Sequence, residues 1–397
     1  MTERSDIIST AGEISMANDK KITAPLAESI TIKKGEPLKN ILNANSLRDG
    51  ALIVKSVYAP FLVDEFVKST MDETWAELEL KARCRQVTVN LKKYMPDDYS
   101  ECLAIFDKVA DGYAGGLFVL GMSFPDFVEV YGQDDVNWDL SVSALARYTI
   151  LWSSEFAVRP FIINQEARMM TQILTWAKHE NEHIRRLASE GCRPALPWAM
   201  ALPKFKSDPT PVLPILEQLK ADPSMYVRKS VANNLNDISK TRPDVVVKIA
   251  KSWYGESDHT NWILKHGCRT LLKKGNRDIL TLFGLGSSSD VEVSAFLLDT
   301  ESVSIGKDIS FSFDITAKEA SKVRLEYAID YVKSGGKRSR KIFKLSEVSL
   351  KASEKKTYVR KHSFADLSTR KHYAGVHAIT LIVNGTEQGT LEFTVQV

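Results

Sequence analysis

The string HENEH at residues 179–183 matches the H-E-x-x-H pattern of zinc peptidases. In that pattern, two histidines one helical turn apart ligate Zn²⁺ and the glutamate acts as a general base. Both imidazoles must lie on one face of a single continuous helix. The metallohydrolase hypothesis therefore depends on the elements around these five residues.

Three segments of the chain form a repeat. Each has an aromatic residue or histidine, a β-branched residue and then basic residues, near the start of a helix and after a polar turn. The offsets between the copies are 43 and 36 residues. A period of about 40 residues with two antiparallel helices in each unit is typical of HEAT-type α-solenoids. The copies are His183–Leu187, Tyr226–Ser230 and Trp262–His266.

The repeat places Glu180–Glu182 in the turn between two helices, because the next copy has a turn with Ala221-Asp222-Pro223 just before its helix. A turn there cannot present both histidines to one metal. The third ligand of the metzincin extension is also missing, since Arg186 and Ser189 stand where glycine and histidine are needed. We therefore predict no bound metal, and a zinc hydrolase remains the third-ranked hypothesis.

The basic residues of the repeat can line one face of the solenoid. Helix N-termini add partial positive charge and free N–H groups, and such a track suits a phosphodiester backbone. Alternatively, the bases pair with acids of neighbouring repeats and the asparagines cap turns. The predicted phosphate-binding residues are Arg185, Arg186, Arg228, Lys229, Asn233, Asn234, Lys265 and Arg269.

The charge distribution agrees with a polyanionic partner. The chain of 397 residues has a net charge of only +3, but residues 337–371 hold 12 bases and three acids, and residues 178–275 hold 17 bases and ten acids. Separated basic regions are expected of a nucleic-acid-binding protein, although a single charge run is more often solvated surface.

The patterning predicts three regions. Residues 1–20 are polar and unpatterned and indicate a disordered tail, and residues 21–285 have helical periodicity. Residues 290–397 alternate with period two in about seven short runs, which predicts a small all-β immunoglobulin-like sandwich after an all-α HEAT-like repeat solenoid. No apolar run approaches the length of a membrane helix, no signal peptide is recognised, and the four cysteines form no CxxC pair. We expect a cytoplasmic protein.

Three runs resemble the AlkC branch of the AlkC/AlkD DNA glycosylases. They are SSEFAVRPFI at 153–162, RRLASEGCRPALPWA at 185–199 and YVRKSVANNLNDISK at 226–240. The resemblance covers the whole helical part, and the β-rich tail matches the longer members of that branch. It implies a HEAT-like domain that cradles duplex DNA and releases cationic alkylated bases without flipping them into a deep pocket. The implied substrates are 3-methyladenine, 3-methylcytosine and 1-methyladenine.

The resemblance makes Glu155 the first candidate for catalysis. A cationic base leaves without a proton, so a carboxylate need only stabilise an oxocarbenium-like sugar and position water. Glu155 lies between Trp152 and Phe156 in an apolar segment predicted to be helical, and nearby aromatic rings add cation–π attraction. Arg159, one turn on, can orient Glu155 or contact phosphate; the alternative is a structural salt bridge.

Asp208, in the turn after the segment of Trp198, is the second catalytic candidate, although it can equally cap a helix. Trp138-Asp139 resembles the start of the Trp-Asp motif of the AlkD branch, but Val142 stands where that branch has its catalytic aspartate. This departure shifts the weight to Glu155. Trp138, Trp152 and Trp198 are the predicted active-site aromatics, and Arg193 joins the DNA-binding set.

The sandwich is expected to close a clamp on the DNA through a basic hairpin that contains Lys337, Arg338 and Arg340. A solubilising loop is the alternative. The leading hypothesis is a monomeric, monofunctional glycosylase that acts on double-stranded alkylated DNA without metal or cofactor and binds no membrane. The runner-up is a non-catalytic HEAT scaffold that binds DNA or protein.

Overall fold

A computed structural model describes residues 36–112, 119–367 and 370–397, and the predicted tail at 1–20 lies outside them. The chain forms two compact units. The first contains the described residues up to Pro203 together with Thr210–Leu219, and the second contains Lys204–Pro209 and Lys220–Val397. The second unit therefore includes both helices and the whole β-region.

The described residues before the β-region form a series of helices, as the periodicity predicts. Within the described residues, no helix is long and apolar enough to cross a membrane. The helices are α1 (Ala44–Val57), α2 (Val63–Thr70), α3 (Leu80–Lys93), α4 (Tyr99–Gly112), α5 (Ser123–Tyr131), α6 (Trp138–Tyr148), α7 (Val158–Asn164), α8 (Glu166–Trp176), α9 (Glu182–Gly191), α10 (Pro203–Ser207), α11 (Leu213–Leu219), α12 (Met225–Thr241), α13 (Pro243–Trp253), α14 (Asp258–Gly267), α15 (Arg269–Lys273) and α16 (Arg277–Leu282).

Helix α12 shows why these segments are helical. Val227, Val231, Leu235 and Ile238 follow one another at spacings of three or four and are all fully buried, so they form one apolar face. Side-chain caps fix where other helices begin, as at Ser257, whose side chain accepts a hydrogen bond from the Thr260 N–H.

The first two copies of the repeat are equivalent in structure. Arg185 on α9 and Arg228 on α12 each turn back and donate from Nη1 to two carbonyls of the preceding turn. These donations use the carbonyls five and six residues upstream of each arginine, which confirms the 43-residue offset. The distances are 2.9 and 2.6 Å to His179 and Glu180, and 2.8 and 2.7 Å to Asp222 and Pro223.

The third copy has a different helical register. Trp262 is the fifth residue of α14, whereas His183 and Tyr226 are the second residues of their helices. The polar residues predicted to form the preceding turn are instead the cap and first turn of α14. The predicted helix start is therefore wrong by three residues.

The HENEH string crosses a turn, as the repeat predicts. Helix α8 ends at Trp176 and α9 begins only at Glu182, with Asn181 as its N-cap. His179 is used inside the turn, where its Nδ1 accepts a hydrogen bond of 2.9 Å from the Asn181 N–H. The two histidines therefore do not share a helix. Across the part of the chain that the structure describes, no three His, Cys, Asp or Glu residues are grouped to hold a metal.

The β-region is a sandwich of two sheets, and its described residues form eight strands where about seven were predicted. A three-stranded sheet has the order β1-β3-β6 and a five-stranded sheet the order β2-β8-β7-β4-β5. The predicted order of an all-α region followed by a small β-sandwich is confirmed. The strands are β1 (Val291–Leu298), β2 (Ser302–Ser304), β3 (Asp308–Ala317), β4 (Ser321–Val332), β5 (Arg338–Leu350), β6 (Lys355–Ser363), β7 (Gly375–Val383) and β8 (Thr386–Gln396).

The last helices and the sandwich are joined within the second unit. Glu347 on β5 pairs with Lys265 of α14 and also with Arg324 at 2.9 Å and Lys344 at 3.0 Å. Burial raises the pKa of Glu347, but the hydrogen bonds and charges of Lys265 and Lys344 outweigh this effect and lower the pKa to about 2. Lys273 of α15 donates to the Ile342 carbonyl at 3.0 Å. The change from helix to strand falls between residues 282 and 291, but it is not a break in packing.

A close backbone approach completes this junction. A Cβ on Gly385, at φ +76°, would lie 2.2 Å from the Gly275 Cα, whereas a Cβ on Gly306, at φ +92°, would meet nothing within 4 Å.

We expect Gly306→Ala to lower the free energy of unfolding by about 1–2 kcal/mol, because alanine disfavours the left-handed backbone at this position. Gly385→Ala should lower the free energy of unfolding by about 1–3 kcal/mol more than Gly306→Ala does, because its methyl group would collide with the backbone of Gly275. Urea unfolding of both variants measures the difference, and equal losses would contradict the close approach.

The sandwich core contains a buried histidine. His362 lies between the Tyr327 and Tyr331 hydroxyls, at 2.8 and 2.7 Å, and burial lowers its pKa to about 4. His372 and His377 are also buried and have pKa values lowered in the same direction, mainly by burial. The folded sandwich therefore favours neutral imidazoles.

This burial predicts acid sensitivity. The unfolded chain binds the His362 proton more readily, so the free energy of unfolding should fall as the pH drops from about 6.5 to about 4, by up to about 3 kcal/mol. His362→Gln should flatten this pH dependence, while substitution of the exposed His259 by Gln should leave it unchanged. Denaturation midpoints at four pH values test the prediction, which fails if the His362 variant keeps the wild-type slope.

Candidate active site

Glu155 lies in the turn between α6 and α7 rather than in a helix, which corrects the prediction from the sequence. The turn is fixed by Ser154, whose buried hydroxyl donates to the Leu145 carbonyl at 2.8 Å. The Ser154 N–H also donates to the Thr149 Oγ1, at 3.3 Å. Glu155 is therefore carried by a rigid turn and not by a helical face.

Two neighbours hold the carboxylate of Glu155. The Ser153 hydroxyl donates to Oε2 at 2.5 Å, and the Arg186 guanidinium donates to the same oxygen. Arg186 Nη1 also donates to the Ser153 Oγ at 2.9 Å. The Glu155 side chain is 15 % exposed. Oε1 accepts no hydrogen bond from the residues that the structure describes, so it can still meet a ligand or water.

Arg186 continues into a chain of alternating charges. Its Nη2 lies 3.6 Å from Glu190 Oε1, which Arg193 Nη1 approaches to 2.5 Å. The side chains of this network are 16 % exposed or less. Contact between their opposite charges offsets the free-energy cost of removing them from water. Glu190 was not predicted as a site residue, although it lies four residues after Arg186 on α9, and Arg193 follows three residues later, beyond the end of the helix. Arg186 and Arg193, expected to bind phosphate, bind carboxylates here.

Arg159 is fully buried, which corrects its predicted contact with phosphate. Its Nε donates to the Met200 carbonyl at 2.6 Å and its Nη1 to the Gly191 carbonyl at 2.9 Å. It thus ties α7 to the segment that follows α9. A phosphate cannot reach this guanidinium without unfolding its surroundings.

The three predicted aromatics have different environments. Trp138 is 4 % exposed and packs on Phe161 and under the Arg168 guanidinium, so it is a core residue and not a ligand contact. Trp152 is half-buried beside the Glu155 turn. Trp198 is 66 % exposed and has a positive φ of 66°. A bulky residue in the left-handed region is a genuine outlier, and such strain concentrates at functional sites.

The remaining carboxylate candidate belongs to the second compact unit. Asp208 is exposed in the turn that follows α10. On α12 of the same unit, Asp237 is 2 % exposed at its side chain and pairs with Lys240 at 2.8 Å. The burial of Asp237 could not be predicted from the periodicity, because this residue lies within a polar stretch of α12.

Most predicted phosphate ligands of the repeat are engaged within the protein. Arg185 and the buried Arg228 close their turns, Lys265 pairs with Glu347, and Arg269 donates to the Asn233 side chain at 2.9 Å. Asn234 is fully buried. Lys229 remains exposed on α12. For the buried Arg228 and Asn234, these placements correct the predicted contact with phosphate.

The sandwich presents the predicted basic hairpin. A turn at residues 333–337 joins β4 and β5, and Gly336, at φ +73°, allows its N–H to donate to the Lys333 carbonyl at 2.8 Å. Arg338 pairs with Glu392 at 3.0 Å and Arg340 with Glu387 at 2.8 Å. These ion pairs are about 40 % exposed at the arginines and are worth little, so a phosphate can replace them.

Comparison with known proteins identifies the family. Residues 149–271 match the model of DNA alkylation repair enzymes, and residues 292–397 match that of the C-terminal Ig-like domain of the uncharacterised protein YhaZ. The YhaZ protein of Bacillus subtilis is 46 % identical over 358 residues, which are 90 % of this chain and 99 % of that protein.

A solved structure agrees with this assignment. The alkylpurine DNA glycosylase AlkC of Pseudomonas fluorescens, bound to DNA with an abasic site analogue, superimposes with a TM-score of 0.86 at 38 % identity. The match covers 91 % of this chain and all of that one. The chain therefore belongs to the AlkC branch of the AlkC/AlkD family of DNA alkylation repair proteins, in the long form that carries a C-terminal immunoglobulin-like domain.

Proposed function

We propose that this protein is a monofunctional DNA glycosylase that hydrolyses the N-glycosidic bond of cationic alkylated bases in duplex DNA. The proposed substrates are 3-methyladenine, 3-methylcytosine and 1-methyladenine, excised without base flipping as a first step of base excision repair. Family membership supports the reaction class. The observation that carries the proposal is the Glu155 carboxylate, held by Ser153 and Arg186 on a rigid turn with Oε1 left for a ligand.

The chemistry needs few groups. The alkylated base already carries positive charge, so its departure leaves an oxocarbenium-like sugar and requires no general acid. A carboxylate fixed in advance stabilises this cation without reorganising, and it can orient the attacking water. The proposed role of Arg186 is to fix Glu155 rather than to bind phosphate. Asp208 stays a weaker candidate because it is exposed in a turn.

The proposed DNA contacts are those predicted residues that the fold leaves accessible. Lys229 on α12 and Lys337, Arg338 and Arg340 on the sandwich hairpin are exposed. Each would contribute salt-dependent affinity for the backbone. Trp198 and Trp152 would provide aromatic faces. We infer a monomer that acts on chromosomal DNA in the cytoplasm, with residues 21–285 forming the catalytic HEAT-like domain and residues 290–397 the clamp.

The role of Glu155 can be tested by a single substitution. We expect Glu155→Gln to slow the release of 3-methyladenine from methylated duplex DNA by at least about 100-fold, because the amide loses the charge that faces the sugar cation. Binding to the same duplex should change less than about threefold. Single-turnover release followed by chromatography gives the rate, and an anisotropy titration gives the affinity.

Glu180→Gln is the matched control. Glu180 is an exposed acid in the HENEH turn, and it would be the general base of a zinc enzyme. The glycosylase proposal expects this variant to release base at the wild-type rate. If Glu155→Gln retained activity while Glu180→Gln lost it, the assignment of the carboxylate would be wrong.

Chelation separates the three hypotheses for the whole protein. The glycosylase proposal expects the same rate of 3-methyladenine release before and after dialysis against EDTA, because the leaving group needs no Lewis acid. A zinc hydrolase would lose activity together with stoichiometric metal. A non-catalytic scaffold would bind duplex DNA and release no base under either condition, which would refute the proposed reaction.

A further inference from the structure

The segment between α9 and α10 presents a strained aromatic residue to solvent. Trp198 has the left-handed φ of +66° and is 66 % exposed, and its neighbour Met200 is 46 % exposed. Nothing in the intrinsic preference of tryptophan favours this conformation. The surrounding structure must therefore impose it, and the hydrogen bonds to this segment show how.

Two cations from distant parts of the chain hold the segment. Lys81 on α3 donates from Nζ to the Trp198 carbonyl at 3.0 Å. Arg159 on α7 donates to the Met200 carbonyl and to the Gly191 carbonyl at the end of α9, so it joins both ends of the segment. The Ala199 N–H also donates to the Leu196 carbonyl at 3.3 Å. The backbone on either side of Trp198 is thus fixed while the residue stays 66 % exposed.

Lys81 also contacts the turn that carries Glu155. Its ammonium lies 4.8 Å from the centre of the Phe156 ring, next in sequence to Glu155. One exposed lysine therefore touches both the Glu155 turn and the Trp198 segment. Its ammonium is directed to a carbonyl and a ring face. This arrangement is poor for binding a phosphate and good for holding the two segments in place.

We propose that Lys81 is a positioning residue that holds Trp198 as a preformed stacking surface for a nucleobase left unstacked at the damaged site. This inference rests on the proposed function for the identity of the DNA. Stacking of a base on an aromatic side chain is favourable for every base, and a surface fixed before binding loses less conformational entropy. Lys81 therefore strengthens recognition of damaged duplex without contacting it.

A double-mutant cycle on the full-length chain tests the proposal. The probe is a duplex with one tetrahydrofuran abasic-site analogue, compared with the undamaged duplex of the same sequence. Lys81→Met keeps the aliphatic stem and removes the ammonium, and Trp198→Ala removes the stacking surface. Lys81→Arg is the conservative rescue, and Lys68→Met, an exposed lysine on α2, is the matched control. Thermal unfolding confirms that each variant is folded.

We expect Lys81→Met and Trp198→Ala each to weaken binding to the abasic duplex by about five- to tenfold. In the Trp198→Ala background, Lys81→Met should have less than about a twofold further effect, because the two residues act as one unit. Lys81→Arg should restore binding to within about twofold, and Lys68→Met should match wild type. All variants should bind the undamaged duplex with similar affinities.

Three results would overturn the proposal. The first is a Lys81→Met loss that persists in the Trp198→Ala background. The second is an equal loss for both duplexes with a reduced salt slope, which identifies Lys81 as a phosphate ligand. The third is a wild-type protein that does not prefer the abasic duplex. None of these measurements depends on base release. A chain without glycosylase activity would refute the proposed reaction, but the double-mutant cycle could still be interpreted.

Discussion

The salt bridge between Glu155 and Arg186 is the interaction on which the candidate site depends. A carboxylate that is 15 % exposed needs a cation beside it, and Arg186 supplies that cation while also contacting Glu190. Removing one partner of a partly buried pair leaves an uncompensated charge, which costs far more than the pair contributes. The network thus holds the carboxylates of Glu155 and Glu190 in fixed positions.

This use of Arg186 explains a wider feature of the molecule. Arginines at the starts of the repeat helices were natural candidates for phosphate binding, yet Arg185 and Arg228 close the turns that precede their own helices. A turn leaves carbonyls without partners, and a nearby guanidinium with five donors satisfies two of them at once. Many basic residues of this fold therefore stabilise its turns, and Lys229 is among those that remain exposed.

The second unit shows the same principle in its packing. Glu347 joins α14 to the sandwich through Lys265, and Gly275 and Gly385 approach so closely that no side chain fits between them. The sandwich that carries the basic hairpin is therefore packed onto the last helices. The boundary suggested by composition near residue 285 marks a change of secondary structure and not a gap in packing.

The sequence by itself determined the order of helices and strands, the repeat offset of 43 residues and the turn within HENEH. These features follow from local periodicity and from proline and polar turn residues, which act over a few neighbouring positions. The third repeat was placed wrongly because its polar residues cap α14 rather than precede it.

Only the tertiary structure decided which charged residues are buried and which remain exposed. Arg159 and Arg228 read as surface cations in the sequence, but the first is fully buried and the second nearly so. Glu190 belongs to the site because it pairs with Arg186 and Arg193. The strained, exposed conformation of Trp198 is held by hydrogen bonds from Lys81 and Arg159. The physical reason is that desolvation and pairing of a charge depend on neighbours far away in the chain, which no local pattern specifies.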